Sequence, residues 1–140
     1  PMELYHHPAN LFVAGFIGSP KMNFVEGKVA GIADGQVTIS SAEIAELTMT
    51  GSAEKLSIGD KVTFGIRPHD LRKSESGAIK GKVLLVEHLG HETVGKPALG
   101  SGLTWLAVLD GDVDIANGDA ISLDYDPSQA ALFDAAGRAI

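Results

Sequence analysis

The sequence predicts an all-β domain, and three observations point to this class. Strand-forming residues occur in short runs, a hairpin turn joins two of these runs, and the chain repeats itself internally. Runs rich in Val, Ile and Thr are frequent, while long segments of helical periodicity are scarce. Side chains branched at Cβ favour the pleated backbone of strands. With 44% hydrophobic residues and 17 glycines, the 140-residue chain can build one core with many tight turns.

Several strands are predicted from local pattern. Residues 28–33 and 36–40 form a hairpin signal, because the Asp-Gly pair between them supplies the positive φ angles of a type I′ turn. Residues 61–67 and 120–126 alternate apolar and polar side chains, which is typical of strands with one buried face.

Three further segments are assigned from composition. Residues 82–87 and 103–109 are apolar on both faces, which predicts central strands covered on two sides. Residues 128–133 are expected to form one short helical turn.

An internal repeat organises these elements. Residues 58–68 match residues 117–127 without a gap, so that Gly59 aligns with Gly118. Each copy contains a Gly-Asp turn, an alternating strand and a closing proline. Such self-similarity indicates a fold assembled from two related halves.

The repeat also sets the expected domain organisation. A weaker echo relates residues 27–29 to residues 81–83, and residues 74–77 resemble a connecting loop. The half-repeats therefore lie at about 21–73 and 74–140. Two such halves can close into a barrel or a paired barrel, which hides the strand edges that small β domains must protect.

Residues 1–20 are predicted to be a junction segment that contains a short helix. Pro8 suits a first helical turn, and Gly18 suits the end of a helix. The helix carries one apolar stripe of four side chains: Leu11, Phe12, Phe16 and Ile17. A stripe this apolar on so short a helix predicts a partner surface. We expect the segment to belong to a preceding domain.

The charge balance excludes several partners. The formal net charge is −7 and no cluster of Lys and Arg stands out, so neither nucleic acid nor an anionic membrane surface is an expected partner. No apolar run reaches the roughly 20 residues that a membrane-spanning helix needs. The absence of cysteine rules out disulfides and thiolate metal sites, and it fits a reducing cytosol.

No enzymatic site is predicted. Each of the three Gly-Lys pairs is followed by Val or Pro rather than by the Ser or Thr that a P-loop requires, and no Leu-Ser-Gly-Gly-Gln signature is present. His88 and His91 flank a glycine and are interpreted as surface or turn histidines rather than metal ligands. The acidic run from Asp110 to Asp114 fails the EF-hand pattern. We therefore expect no catalytic residue, no metal and no bound cofactor.

The strongest local motif is the tract that follows the first alternating strand. Pro68 ends the strand and pre-sets a turn. Arg67 can pair with Asp70 across that turn, which would make a structural corner, or it can reach a neighbouring domain by a bidentate contact. Both alternatives stay open at this point.

Four tracts in order resemble one protein family. Residues 3–24 are similar to the junction sequence of the maltose/glycerol-phosphate-type sugar ABC importer ATPases, and residues 65–71 resemble their Gly-Ile-Arg-Pro-Glu tract, with His69 in place of the usual Glu. Residues 86–93 resemble a Val-Glu-x-Leu-Gly-x-Glu-Thr tract, and residues 126–138 resemble the family's C-terminal ending. Residues 95–102 also depart from the pattern, and their Gly and Pro content predicts a loop or bulge.

The resemblance implies a C-terminal regulatory domain of the transport-associated OB-fold (TOBE) type, built as a small β-barrel. Implied partners are the chain's own nucleotide-binding domain, a second ATPase subunit and the permease subunits, on the cytoplasmic side and peripheral to the inner membrane. ATP and magnesium are expected in the full-length parent only. The candidate interaction residues are Phe12, Phe16, Ile17, Arg67, Pro68, Asp70, Glu87 and Glu92.

Two functions are therefore carried forward. The first is a non-catalytic regulatory and dimerisation domain of an importer ATPase for sugars or related solutes. The second is a small-ligand sensor, because related TOBE domains bind oxyanions through backbone N–H groups and small polar side chains. A nucleic-acid-binding OB-fold is disfavoured because it requires exposed aromatic residues and a positive groove.

Overall fold

The computed structural model describes residues 21–51, 53–100 and 102–140. The predicted helix over residues 8–18 lies outside this part. The described residues form eleven strands and two short 3₁₀ turns, Pro68–Asp70 and Pro127–Gln129. The strands are β1 Asn23–Ala33, β2 Gln36–Ser40, β3 Leu47–Thr50, β4 Lys61–Ile66, β5 Arg72–Lys73, β6 Ile79–His88, β7 Glu92–Leu99, β8 Leu103–Thr104, β9 Ala107–Asp110, β10 Ala120–Asp124 and β11 Ala131–Phe133. The all-β prediction is confirmed.

The strands form two antiparallel sheets. The first sheet has the order β11-β4-β1-β2-β3, and the second has the order β5-β10-β6-β7-β8, with β9 also paired to β7. No helix in the described part of the chain has the length and hydropathy needed to cross a membrane.

The two sheets exchange one strand each. The chain of the first half ends in β5, which pairs with β10 of the second sheet. The chain of the second half ends in β11, which pairs with β4 of the first sheet. Two further contacts cross between the halves. Strand β3 of the first half lies against the second 3₁₀ turn, and β9 of the second half lies against the first. Each half is thus completed by residues of the other.

The repeated Gly-Asp turns have the same geometry in both halves. Gly59 has φ 94° and Gly118 has φ 91°, a region that favours glycine. The Gly59 N–H donates to the carbonyl of Val29 over 2.8 Å, and the Gly118 N–H donates to that of Val83 over 2.7 Å. The sequence repeat therefore corresponds to a structural repeat.

The weaker echo marks a second shared feature, a close approach of neighbouring backbones. A Cβ added to Gly27 would lie 2.5 Å from the carbonyl oxygen of Ser40, and one added to Gly81 would lie 2.5 Å from that of Ala98. Real side chains do not tolerate such contacts, so both positions require glycine.

One large hydrophobic cluster joins the two halves, and a smaller one, built on Met22 and Phe133, does so as well. Phe64 stacks on Trp105 with ring centroids 6.4 Å apart and meets Tyr125 edge-on at 5.5 Å. The Trp105 indole N–H donates to the backbone carbonyl of Phe24 over 2.9 Å, so this buried ring loses no hydrogen bond. One residue of the first half is thus packed between two aromatic rings of the second.

Polar contacts also cross between the halves. The Asn23 side chain donates to the carbonyl of Leu106 over 2.8 Å and accepts from its N–H over 2.9 Å. Tyr125 Oη donates to the carbonyl of Thr48 over 2.8 Å and accepts from its N–H over 2.9 Å. Each side chain satisfies two backbone groups of the opposite half.

The prediction that residues 82–87 are covered on both faces is wrong. The pairing of β6 with β7 shifts register between Val83 and Leu85. This β-bulge leaves Leu84 at 47% and Leu85 at 60% exposure. Hydrophobicity alone did not distinguish an outward leucine from an inward one.

Three other boundaries differ from the predicted ones. Of the loop or bulge expected over residues 95–102, the loop is wrong, since β7 continues to Leu99, whereas a register shift does fall opposite Lys96 and Pro97, with the extra residue on β6. Residues 103–109 form two short strands, β8 and β9, rather than one. The helical turn expected over residues 128–133 is confined to Pro127–Gln129, and β11 follows it. In these segments, strand pairing in the folded domain overrode the local sequence preference.

Candidate interaction site

The Arg-Pro corner closes the end of β4. Arg67 is 4% exposed and Pro68 is also buried, at the first position of the 3₁₀ turn. The N–H of Asp70 donates to the carbonyl of Arg67 over 3.0 Å, which closes the turn. A buried guanidinium is costly without hydrogen-bond partners, and Arg67 is engaged within the fold.

The two repeated corners meet at one groove. Its volume is about 570 Å³, and its walls include Arg67 and Asp70 from the first 3₁₀ turn region and Ser128 and Gln129 from the second. Met49 of β3 contributes an apolar part of the lining. The strand exchange explains this meeting, because each turn leads its chain into the opposite sheet.

Glu92 links the first corner to the second sheet. Its carboxylate Oε2 lies 3.5 Å from His69 Nε2, and its Oε1 lies 3.7 Å from His91 Nε2. A glutamate at position 69, as in the family tract, would repel the carboxylate of Glu92. The histidine at this position avoids that repulsion. The three side chains are partly to largely exposed, which limits the strength of the pairs.

Glu87 lies on the same sheet as Glu92 but on the neighbouring strand. The ladder places Glu87 opposite Val94 on β7, and Glu92 opposite Asp110 on β9. Glu87 is exposed on the outer face of the second sheet. Cross-strand partners share a face and side chains alternate along β7, so Glu87, Val94 and Glu92 lie on one face of the second sheet.

Phe12, Phe16 and Ile17 lie outside the described residues. Of the remaining candidates, Arg67, Pro68 and Asp70 form the corner, Glu92 contacts it through His69, and Glu87 lies on the same sheet face as Glu92. Within the described residues, no group of three or more His, Asp or Glu side chains is arranged to hold a metal ion.

Sequence reasoning missed the role of His88. Its Nδ1 lies 3.0 Å from Asp112 Oδ1, and its Nε2 lies 3.2 Å from the carbonyl oxygen of Ile115. The Thr93 hydroxyl donates to the carbonyl of Gly111 and accepts from the N–H of Val113, each over 2.9 Å. The acidic run is thus a turn fixed on the β6–β7 hairpin. The partners lie about two dozen residues away, a separation that no local periodicity reveals.

The exposed leucines of β6 were also missed. A usable signal was present: in the echo that aligns residues 27–29 with 81–83, Leu84 and Leu85 fall on Ala30 and Gly31. Large apolar residues at positions that the other half fills with small ones indicate a role outside the core.

The geometry defines a class: a small antiparallel β domain of two related halves that exchange strands and share one core. Comparison with known families agrees. The TOBE domain model matches residues 64–133, and the MalK OB fold domain model matches residues 18–71. The chain belongs to the TOBE domain family.

Curated relatives share much of the sequence. The maltose/maltodextrin import ATP-binding protein MalK of Vibrio cholerae is 36% identical over 142 aligned positions, which cover 99% of this chain and 38% of the relative. The MalK protein of Aliivibrio fischeri is 39% identical and covers 82% of this chain and 29% of its own length. This chain therefore spans well under half the length of these relatives.

A solved structure shares the fold. The cytoplasmic molybdate-binding protein ModG, in a form with molybdate bound, superposes with a TM-score of 0.65. The match covers 79% of this chain and 94% of ModG at 18% sequence identity. At this level of identity the likeness concerns architecture alone.

Proposed function

We propose that this chain is the regulatory and dimerisation domain of the ATP-binding subunit of an ABC importer for sugars or related solutes. One observation carries the proposal: the chain aligns over 99% of its length with a maltose/maltodextrin import ATP-binding protein, and both matching family models are non-catalytic β domains. The domain acts by contact, while ATP and magnesium bind elsewhere in the parent subunit.

The proposed partners follow from the same assignment. The domain packs on its own nucleotide-binding domain, where the stripe of Phe12, Phe16 and Ile17 supplies apolar contacts. It associates with a second copy of the subunit, and through the parent it reaches the permease subunits. The assembly lies on the cytoplasmic side, peripheral to the inner membrane.

The corner residues are the proposed contacts for these partners. Asp70 lines a groove at the surface, the almost fully buried Arg67 forms part of its wall, and Glu92 contacts the neighbouring His69. Charged groups fixed by a rigid turn lose little conformational freedom on binding. This favours their use in specific docking between domains.

ATP hydrolysis by three proteins tests the proposal: the parent subunit, the parent without residues 21–140, and this chain alone. A dimerisation domain raises the effective concentration of one ATPase domain near the other. We expect the parent's rate per subunit to be independent of protein concentration. Without the domain, the rate per subunit should rise with concentration, and the chain alone should hydrolyse nothing.

Two results would contradict the proposal. One is an identical concentration dependence with and without residues 21–140, which would remove the dimerisation role. The other is magnesium-dependent hydrolysis by the isolated chain that survives repurification, which would remove the non-catalytic role.

A small-ligand sensor is the alternative function. It draws support from the fold shared with the molybdate-binding protein ModG and from the groove that Arg67 and Asp70 line. The net charge of −7 opposes the capture of an anion. Calorimetric titration with molybdate, sulfate and a panel of sugars separates the two functions, since only the sensor gives saturable heat with one of them.

A further inference from the structure

The outer face of the second sheet carries exposed leucines that the fold itself does not use. Leu84 occupies the β-bulge of β6, and Leu85 follows it; they are 47% and 60% exposed. The preceding Val83 points into the core and is almost fully buried. Two adjacent leucines on a strand surface leave apolar area in water, which favours a contact that covers them.

The first half of the molecule provides an internal comparison. Strand β1 has the same bulge, between Val29 and Gly31, at the position that corresponds to the bulge of β6. Val29 is buried as Val83 is, but Ala30 and Gly31 stand where β6 has its two leucines. The bulge therefore forms with small residues, and the leucines are additional to what the backbone requires.

Positive charges frame the leucines. Lys96 of β7 lies directly opposite Leu85 in the ladder, and Lys80 and Lys82 precede the leucines on β6. All three lysines are exposed. In the described part of the chain, none of them forms an ion pair with an acid within 4.0 Å. An acidic protein thus presents a local face of the opposite sign.

We propose that this leucine–lysine face, defined as Lys80, Lys82, Leu84, Leu85 and Lys96, docks a protein segment that presents acidic and apolar side chains. Charge complementarity selects this occupant. A second copy docked through the same face would use the same patch on both subunits. The lysines of the two copies would then repel each other across the interface.

A membrane surface suits the face less well. Anionic lipid attracts clusters of basic residues, but it repels the rest of a chain with net charge −7. Glu87 lies on the same strand, two residues beyond Leu85. A protein segment can place its acids over the lysines alone, whereas a lipid surface cannot.

The test uses the purified chain and a short fluorescent peptide of alternating Glu and Leu, with a Lys and Leu peptide of equal length as the control probe. Fluorescence anisotropy measures binding. We expect the acidic peptide to bind, with an affinity that falls as salt rises, and the basic peptide not to bind. The double variant Leu84→Ala with Leu85→Gly replaces the leucines by the residues found at the same positions of the first half. It should weaken binding about tenfold or more.

Charge-reversal variants keep the test decisive if the leucine variant unfolds. Lys80→Glu with Lys82→Glu should weaken binding by a similar factor, while Lys28→Glu, at the position of the first sheet that corresponds to Lys82, should leave it unchanged. Circular dichroism confirms that each variant is folded.

Several outcomes would overturn the proposal. These are equal binding of the acidic and basic peptides, insensitivity to the leucine and Lys80/Lys82 variants, or equal loss with Lys28→Glu. Binding to phosphatidylglycerol vesicles but not to the peptide would assign the face to lipid. Self-association that the leucine variant abolishes would assign it to a second copy.

Discussion

Tyr125 shows how one side chain holds the two halves together. Its hydroxyl reaches from the end of the second half to strand β3 of the first, where it satisfies both backbone groups of Thr48. Burial raises the pKa of Tyr125, while the hydrogen bonds to Thr48 act in the opposite direction. The phenol therefore stays neutral and serves as donor and acceptor at once.

Replacing Tyr125 by Phe should destabilise the domain by about 1–3 kcal/mol, because the backbone groups of Thr48 lose their partner in a partly buried place. Urea unfolding followed by the fluorescence of Trp105 measures the change. A free energy of unfolding equal to that of the wild type would show that water replaces the hydroxyl without cost.

The carboxylates of Asp126 and Asp134 predict a loss of stability in acid. Backbone hydrogen bonds from Ser128 and Arg138, respectively, are the main reason that the pKa of each lies below its usual 3.8. Since the unfolded state then binds more protons, both groups stabilise the fold above the usual pKa. That stabilisation is lost as pH falls through the lowered values.

The double variant Asp126→Asn with Asp134→Asn tests this prediction. Thermal unfolding is measured at a series of pH values between neutral and strongly acidic. The melting temperature should fall less with decreasing pH for the variant than for the wild type. Parallel curves would mean that other carboxylates control acid unfolding.

At the scale of the element, Gly27 of β1 and Gly81 of β6 leave no room for a Cβ next to the neighbouring backbone. Gly81→Ala should destabilise the domain by about 1–3 kcal/mol, because the added Cβ meets the carbonyl of Ala98 at 2.5 Å and backbone cannot easily move. Gly31→Ala is the matched control, since the nearest atom there is the Cβ of Thr38 at an ordinary 3.7 Å. Equal destabilisation of the two variants in urea unfolding would contradict the steric reason.

Local pattern predicted the elements that depend on local chemistry. The Asp34-Gly35 turn joins β1 and β2 as expected. The alternation over residues 61–67 correctly predicted β4 and the residues on its buried face. The bulge at Leu84 was not predicted, because it depends on how β6 pairs with β7. The sequence of β6 alone does not contain that information.

The candidate site was predicted in part for the same reason. The tract around Pro68 identified a corner from turn chemistry alone. Its neighbours in space, Ser128 and Gln129 across the groove and Glu92 beside His69, come from distant parts of the chain. Their approach depends on the tertiary fold.

At the scale of the whole molecule, strand exchange makes the two halves one unit. The repeat predicted two similar halves, and the two Gly-Asp turns are alike in detail. The exchange was not predictable, because β5 and β11 share no sequence pattern: Arg72 and Lys73 are exposed, while Leu132 and Phe133 are buried. Strand exchange makes each half depend on the other, which suits the proposed role of holding two subunits together.

The most direct test of the proposed role is the mass of the parent subunit in solution. Sedimentation equilibrium of the parent and of the parent without residues 21–140, both without nucleotide, reports whether this domain joins two copies. We predict a dimer for the parent and a monomer for the shortened subunit. The same number of subunits per particle for both proteins, whether one or two, would contradict a dimerisation role for this domain.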